Sequence, residues 1–245
     1  MAISVRSRLS EEERIFTVAV DRRGEDGVDG MLFHGASHQG WHFGSFLEMT
    51  EVVEQILGQI HYPGEVMKKR FFGRARNQSA EQKKCGEKLA WREGAEGTYL
   101  LRIRHRQNAS WQGTLYDRKN GQRFAFHSFL ELVEYLDSGM AAPDMQREER
   151  CRQIIERYLP LVLTDSQSWP CIQEILPTVA VCQVFCGGRR NTFLLRLMFF
   201  EHHACQGVLY WKERNCQQSF RSFLELVQLI GEAARDEEEW EESAG

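Results

Sequence analysis

The chain has 245 residues, 42% of them apolar, an ordinary share for a folded protein and too high for a disordered one. Its formal net charge is -4, so no global field draws it to nucleic acid or to an anionic membrane surface. No apolar run approaches the roughly 20 residues that span a bilayer, so no membrane partner is expected.

Residues 1–13 are polar and charged and lack the apolar core of a secretory signal. The seven cysteines are Cys85, Cys151, Cys171, Cys182, Cys186, Cys205 and Cys216. An odd number without such a signal points to reduced thiols and a cytoplasmic location, with most thiols acting as small buried groups.

The first predicted unit covers residues 14–57. Phe16, Val18 and Val20 alternate as the inward face of a strand, and Gly30, Leu32 and Phe43 mark two more. Ser45-Phe46-Leu47-Glu48 then opens a helix. A linker follows at 58–97, with nine Lys or Arg against five Glu, clustered as Lys68-Lys69-Arg70, Arg74, Arg76, Lys83-Lys84 and Lys88. It reads as part helix and part flexible.

The second unit, 98–139, is the sharpest. Tyr99, Leu101 and Ile103 point inward, while Arg102, Arg104 and Arg106 point the other way. Gln107-Asn108-Ala109 reads as a turn. Trp111, Gly113 and Leu115 share one face of a second strand, and Tyr116 lies on the other. Asn120-Gly121 signals a hairpin, and a short third strand ends at Phe126. Phe129, Leu132, Val133 and Leu136 form one apolar helical stripe.

The segment 140–190 reads as a linker, with an amphipathic helix at 144–159 ended by Pro160 and an extra strand at 178–186 that pairs with the next unit. The third unit, 191–234, repeats the second. Laid over 98–136, residues 192–230 match at about fifteen positions without a gap, including Leu194-Leu195-Arg196, Gln206-Gly207, Leu209-Tyr210 and Ser222-Phe223-Leu224-Glu225. Residues 15–53 align with both. An acidic tail at 235–245 is expected to be a solvated helix end or disordered.

Two signals recur in all three units. Ser45/Glu48, Ser128/Glu131 and Ser222/Glu225 form capping boxes: the serine oxygen takes the amide three residues on, and the glutamate returns to the serine amide. Capping accounts for both residues and their spacing, so the pair is not read as catalytic. Gly30, Gly113 and Gly207 hold one position of the second strand. The preferred explanation is a helix or ring packed on the backbone, and a β-bulge is the alternative.

The expected fold is therefore α+β: three tandem βββα units, each a small antiparallel sheet with one helix packed on one face, joined by partly helical linkers. A unit of about forty residues rarely folds alone, so the copies should dock on each other, on the linkers or on a second chain. The second unit should be the most solvent-facing. The third should be the most buried, through Leu194, Met198 and Phe200.

Arg102, Gln107, Asn108, Trp111, Gln112, Gly113, Phe126, Ser128, Glu131 and Leu132 carry a pattern that resembles a group of short hypothetical bacterial proteins of the Clostridia type. The third unit departs from it with Cys205 at the tryptophan position, and the first with Val28. The resemblance implies a bacterial setting and brings no activity with it.

No nucleophile, base and orienter fall together, and the histidines are scattered, so the chain is expected to be non-enzymatic, with no cofactor. Cys182 and Cys186 have zinc-ligand spacing near His202, His203 and Cys205, but no second matching pair follows, and no metal site is assigned. What remains is an interaction or adaptor protein that binds an unidentified protein partner or itself through Arg102, Arg104, Arg106, Trp111, Tyr116, Arg196 and Tyr210. The alternative is nucleic-acid binding through the basic face of the second unit and the basic linker. Strand-strand-strand-helix units do occur in double-stranded RNA-binding domains. Those domains carry lysines at the helix start, where this chain has Ser-Phe-Leu-Glu each time.

Overall fold

The computed structural model describes residues 10–24, 27–35, 39–66, 70–72, 86–138, 161–163, 180–186, 189–201 and 204–244. Period-two alternation in the first strands produces β1 (Phe16–Gly24), β4 (Gly97–His105) and β9 (Arg189–Glu201). Their inward residues Phe16, Val18, Val20, Tyr99, Leu101, Ile103, Phe193 and Leu195 are all buried. Antiparallel neighbours follow: β2 (Gly27–His34) and β3 (Gln39–Phe43), β5 (Gln112–Asp117) and β6 (Arg123–Phe126), β10 (Ala204–Trp211) and β11 (Cys216–Phe220). The fold is mixed α+β, with antiparallel sheets and, among the described residues, three α-helices.

Equivalent pairs recur in each strand triplet. Val20 faces Gly30, Ile103 faces Gly113 and Leu197 faces Gly207. Gly30 faces Phe43, Gly113 faces Phe126 and Gly207 faces Phe220. Just past the first of these pairs the register slips by one residue in every triplet, leaving Asp21, Arg104 and Met198 as the extra residue of a bulge. The repeated glycine is explained there. A Cβ on Gly30, Gly113 or Gly207 would lie 2.0, 2.0 or 1.9 Å from the backbone oxygen of Ala19, Arg102 or Arg196. In the second and third triplets it would also meet the ring of Phe126 or Phe220 at 2.9 or 2.8 Å. Backbone approach at the bulge is the main constraint, with the ring added to it.

The expectation of one small sheet per unit is corrected. The first strands β1 and β4 pair antiparallel, merging two triplets into a six-stranded sheet of order β3-β2-β1-β4-β5-β6. Thr17 and Leu100 occupy matching places in the two triplets and face each other, so the halves of this sheet are related by a local two-fold rotation. The edges that an isolated three-stranded sheet would leave open are used against each other. In the third triplet the same edge of β9 is taken by β8 (Ala180–Cys186), with β7 (Leu161–Leu163) beyond it, giving a five-stranded sheet. Helix 144–159 lies outside the described residues. The described part of the first linker from Gly86 to Glu96 forms no helix, and Glu87 bridges Gly40 on β3.

Helices α1 (Phe46–Ile60), α2 (Phe129–Ser138) and α3 (Phe223–Ala244) follow the triplets. The third runs through the acidic tail. Each capping serine accepts from its partner glutamate amide at 3.1–3.2 Å. The glutamate carboxylate, however, accepts from the residue before the serine: Gly44 and His127 at 2.7 Å, Arg221 at 2.8 Å. The carboxylate therefore satisfies the main-chain donor just before the cap instead of the serine amide. The phenylalanine after each serine enters a shared cluster. Phe129 stacks on Phe223 at 5.8 Å, and meets Phe46 edge-on at 6.4 Å and Trp111 at 5.0 Å. Helix α3 touches both α1 and α2, and one main core draws buried residues from both sheets and all three helices, while Ala19, Met31 and Phe33 of β1 and β2 form a separate small cluster.

Candidate functional site

The bulge decides which of the predicted residues share a surface. One extra residue reverses side-chain parity, so Arg102 and Arg106 leave the sheet on opposite sides. The expected Arg102–Arg104–Arg106 stripe is corrected accordingly. Arg102 stays on the outer face, half-buried, paired with Glu11 at 2.9 Å. Arg104 is the bulge residue itself and is exposed. Thr114 stands across from Arg102, and Tyr116 across from Leu100; all four are half-buried on the sheet side away from α2. Nearby, the Arg118 guanidinium lies 4.6 Å above the Trp91 ring, which is 47% exposed.

Arg106 and Trp111 belong to the interior. Trp111 is fully buried and cannot serve as a surface contact. Its indole Nε1 donates to Glu54 Oε1 of α1 at 2.6 Å. The Arg106 guanidinium pairs with the other oxygen of Glu54 and stands 3.9 Å from Glu65. The Arg106 and Glu54 side chains are 10% and 8% exposed, so this ion pair is nearly dry. It sits at one end of a small solvent-open cleft, closed on the other side by Leu224, Glu225 and Gln228 of α3. The wall between them is the turn at Asn108 and Ala109, both with positive φ, as the Gln107-Asn108-Ala109 reading expects. There the Ala109 carbonyl accepts from the Ser222 hydroxyl, and Ser110 Oγ accepts the Phe129 amide at 2.8 Å.

Chemically, the cleft is a junction. Glu54 engages both oxygens, and Ser222 and Glu225 are spent on the helix cap and its neighbours. Glu225 also takes the Arg221 guanidinium at 2.5 Å, and that bond raises the arginine's pKa. Sequence reasoning missed Glu54, Glu65 and Gln228. Their roles depend on contacts between α1, α3 and β4 that no local spacing signals.

In the third triplet Arg196 is half-buried across from Val208, and Tyr210 donates to Asn215 Oδ1 at 2.8 Å. Met198, expected on a buried face, is 43% exposed because it is the bulge residue. The side chains of Leu194 and Phe200 lie outside the described residues. Cys205 is fully buried, and Cys182 and Cys186 sit four apart on β8. His202 and His203 lie outside the described residues. Among the described residues, no three His, Cys, Asp or Glu groups come together as a metal site would require. Among them too, no helix is long and apolar enough to cross a membrane. Asp21, the bulge residue of the first triplet, holds Arg92 through a hydrogen bond of 2.6 Å, and this lowers its pKa.

Comparison with protein-family models, with curated proteins and with solved structures gave no match.

Proposed function

We propose that the chain is a non-enzymatic interaction protein built from three copies of one βββα unit, and that it meets a protein partner or a second copy through the outer face of β4 and β5. The recurrence of register, bulge, glycine and cap supports the three-copy reading. The observation that carries the interaction reading is the row Leu100, Arg102, Thr114 and Tyr116. These residues are half-buried on the sheet face opposite the helices and mix apolar, aromatic and guanidinium groups. Tyrosine and arginine are the residue types that anchor protein interfaces. The cytoplasmic and bacterial setting expected above completes the proposal.

The nucleic-acid alternative is weaker on this geometry. Arg102 is neutralised by Glu11 and Arg106 by Glu54, which leaves the intended phosphate stripe with Arg104 alone. Within the basic linker, Arg70 is engaged by Ser219, and Lys68, Lys69, Arg74, Arg76, Lys83 and Lys84 lie outside the described residues.

The test compares the wild-type chain with an Arg102→Glu/Tyr116→Asp double variant, in quantitative co-purification from the native host and in light scattering. A partner or a dimer retained by the wild type and lost by the folded variant supports the proposal. Identical profiles contradict it. Salt-dependent retention of the wild type on duplex RNA would favour the alternative instead.

A further inference from the structure

In each triplet, the residue near the start of the first strand faces the end of the second: Phe16 and His34, Tyr99 and Asp117, Phe193 and Trp211. The first two places are completed locally or by the neighbouring copy. His34 packs 5.1 Å from Phe16 and is tied to the Glu13 carbonyl at 3.0 Å. Asp117 is occupied by the amides of its own hairpin, and Tyr99 Oη accepts from Arg23 at 2.6 Å.

The third place differs. Phe193 and Trp211 offer two rings 5.9 Å apart, with the indole fixed by Asn191 at 3.1 Å. A third ring, which packs against both of them, comes from the linker far upstream. Phe72 stacks on Phe193 at 6.3 Å and meets Trp211 edge-on at 5.5 Å. The same three-residue segment makes two polar attachments. Arg70 donates to the Ser219 carbonyl at 3.1 Å and to its hydroxyl at 2.8 Å on β11, and the Phe72 amide donates to Glu232 of α3 at 3.2 Å. Residues 70–72 remain half-buried. The segment is thus held by a guanidinium, a ring and a main-chain N–H together, a mix of side-chain pocket and main-chain contacts such as peptide-recognition surfaces combine.

We propose that the groove between β11 and α3, floored by Phe193 and Trp211, is a recognition site for an extended Arg-x-aromatic segment, and that this chain closes it in cis with its own Arg70-Phe71-Phe72. The partner class is a protein that displays such a segment. The inference names a second contact surface for the interaction protein proposed above, and so rests on that reading. A tethered segment competes at an effective concentration of about a millimolar, so a free segment binds the intact chain poorly until the strap is displaced or weakened.

The test uses the full chain and a fluorescent synthetic peptide of residues 66–76, followed by anisotropy. The Phe72→Ala chain is expected to bind this peptide at least tenfold more tightly than the wild type. A peptide with both Arg70→Ala and Phe72→Ala is expected to lose that binding. The Arg70→Ala chain, which keeps the ring in place, is expected to show a smaller gain and serves if Phe72→Ala does not fold. Affinity equal to wild type in the folded variants would overturn the proposal. That result would leave the outer-face proposal intact, because residues 102 and 116 take no part in this groove, and the co-purification test above reads them separately.

Discussion

Replacing Gly113 with alanine probes the bulge that recurs through the molecule. The new Cβ would lie 2.0 Å from the Arg102 carbonyl oxygen and 2.9 Å from Phe126 Cζ. Relief to ordinary contact needs a displacement of about 1.5 Å, roughly a third of the normal spacing between strands. The Ile103–Gly113 and Arg102–Thr114 pairs are the first to separate. Overpacking of this kind costs about 1–3 kcal/mol, and each ladder bond lost adds about 1 kcal/mol. The expected destabilisation is therefore about 3 kcal/mol or more, with the same direction at Gly30 and Gly207. Gly58 is the control. It is exposed in the last turn of α1 with nothing within 4 Å of its Cβ position, so alanine there is expected to stabilise by about 0.5 kcal/mol. Urea unfolding followed by far-UV circular dichroism reads both variants. A Gly113→Ala chain within about 0.5 kcal/mol of wild type would refute the reasoning.

Three further expectations follow from other contacts. Ser222→Ala removes both a helix cap and the donor to the Ala109 carbonyl, so it should cost about 2 kcal/mol, against about 1 kcal/mol for Ser45→Ala; equal losses in denaturant midpoints would contradict the contact between α3 and the turn at Ala109. Glu54→Ala strands the buried Arg106 guanidinium and the Trp111 indole and should cost about 3–5 kcal/mol, whereas Glu54→Leu combined with Arg106→Met should recover most of that in the same assay. Asp21 has its pKa lowered by Arg92, so its contribution is complete above the ordinary aspartate value of about 3.9 and is lost as pH falls through the lower folded value. The pair is partly exposed, so the effect stays under about 1 kcal/mol. Carboxyl NMR titration of Asp21 in wild type and Arg92→Gln checks the sign, and an unchanged midpoint would reject it.

Local chemistry made much of this architecture legible. Alternation at Tyr99, Leu101 and Ile103, the Ser-x-x-Glu spacing and the apolar stripe of α2 all act within a few residues and appear where expected. The bulge was harder to see. Arg102-Ile103-Arg104-His105-Arg106 alternates without interruption, so nothing in the strand itself marks Arg104 as an extra residue. The glycine opposite is the sole trace, and on sequence alone it favours a helix or ring packed on the backbone over a bulge. Missing that one residue placed Arg106 on the wrong side of the sheet and grouped it with Arg102. The pairing of β1 with β4, the Glu54–Arg106–Trp111 cluster and the Phe72 strap are contacts between distant segments. Periodicity identifies which face of a strand is buried, but it carries no information on which other strand lies alongside.

The central claim is that two triplets join through their first strands about Thr17 and Leu100, and backbone nuclear Overhauser contacts in a deuterated sample test it most directly. Cross-strand contacts linking Phe16 with Leu101, Thr17 with Leu100 and Val18 with Tyr99 are expected, beside those within each triplet. A spectrum that keeps the β1–β2 and β4–β5 contacts but shows none between β1 and β4 would mean two separate small sheets, and the account would fail.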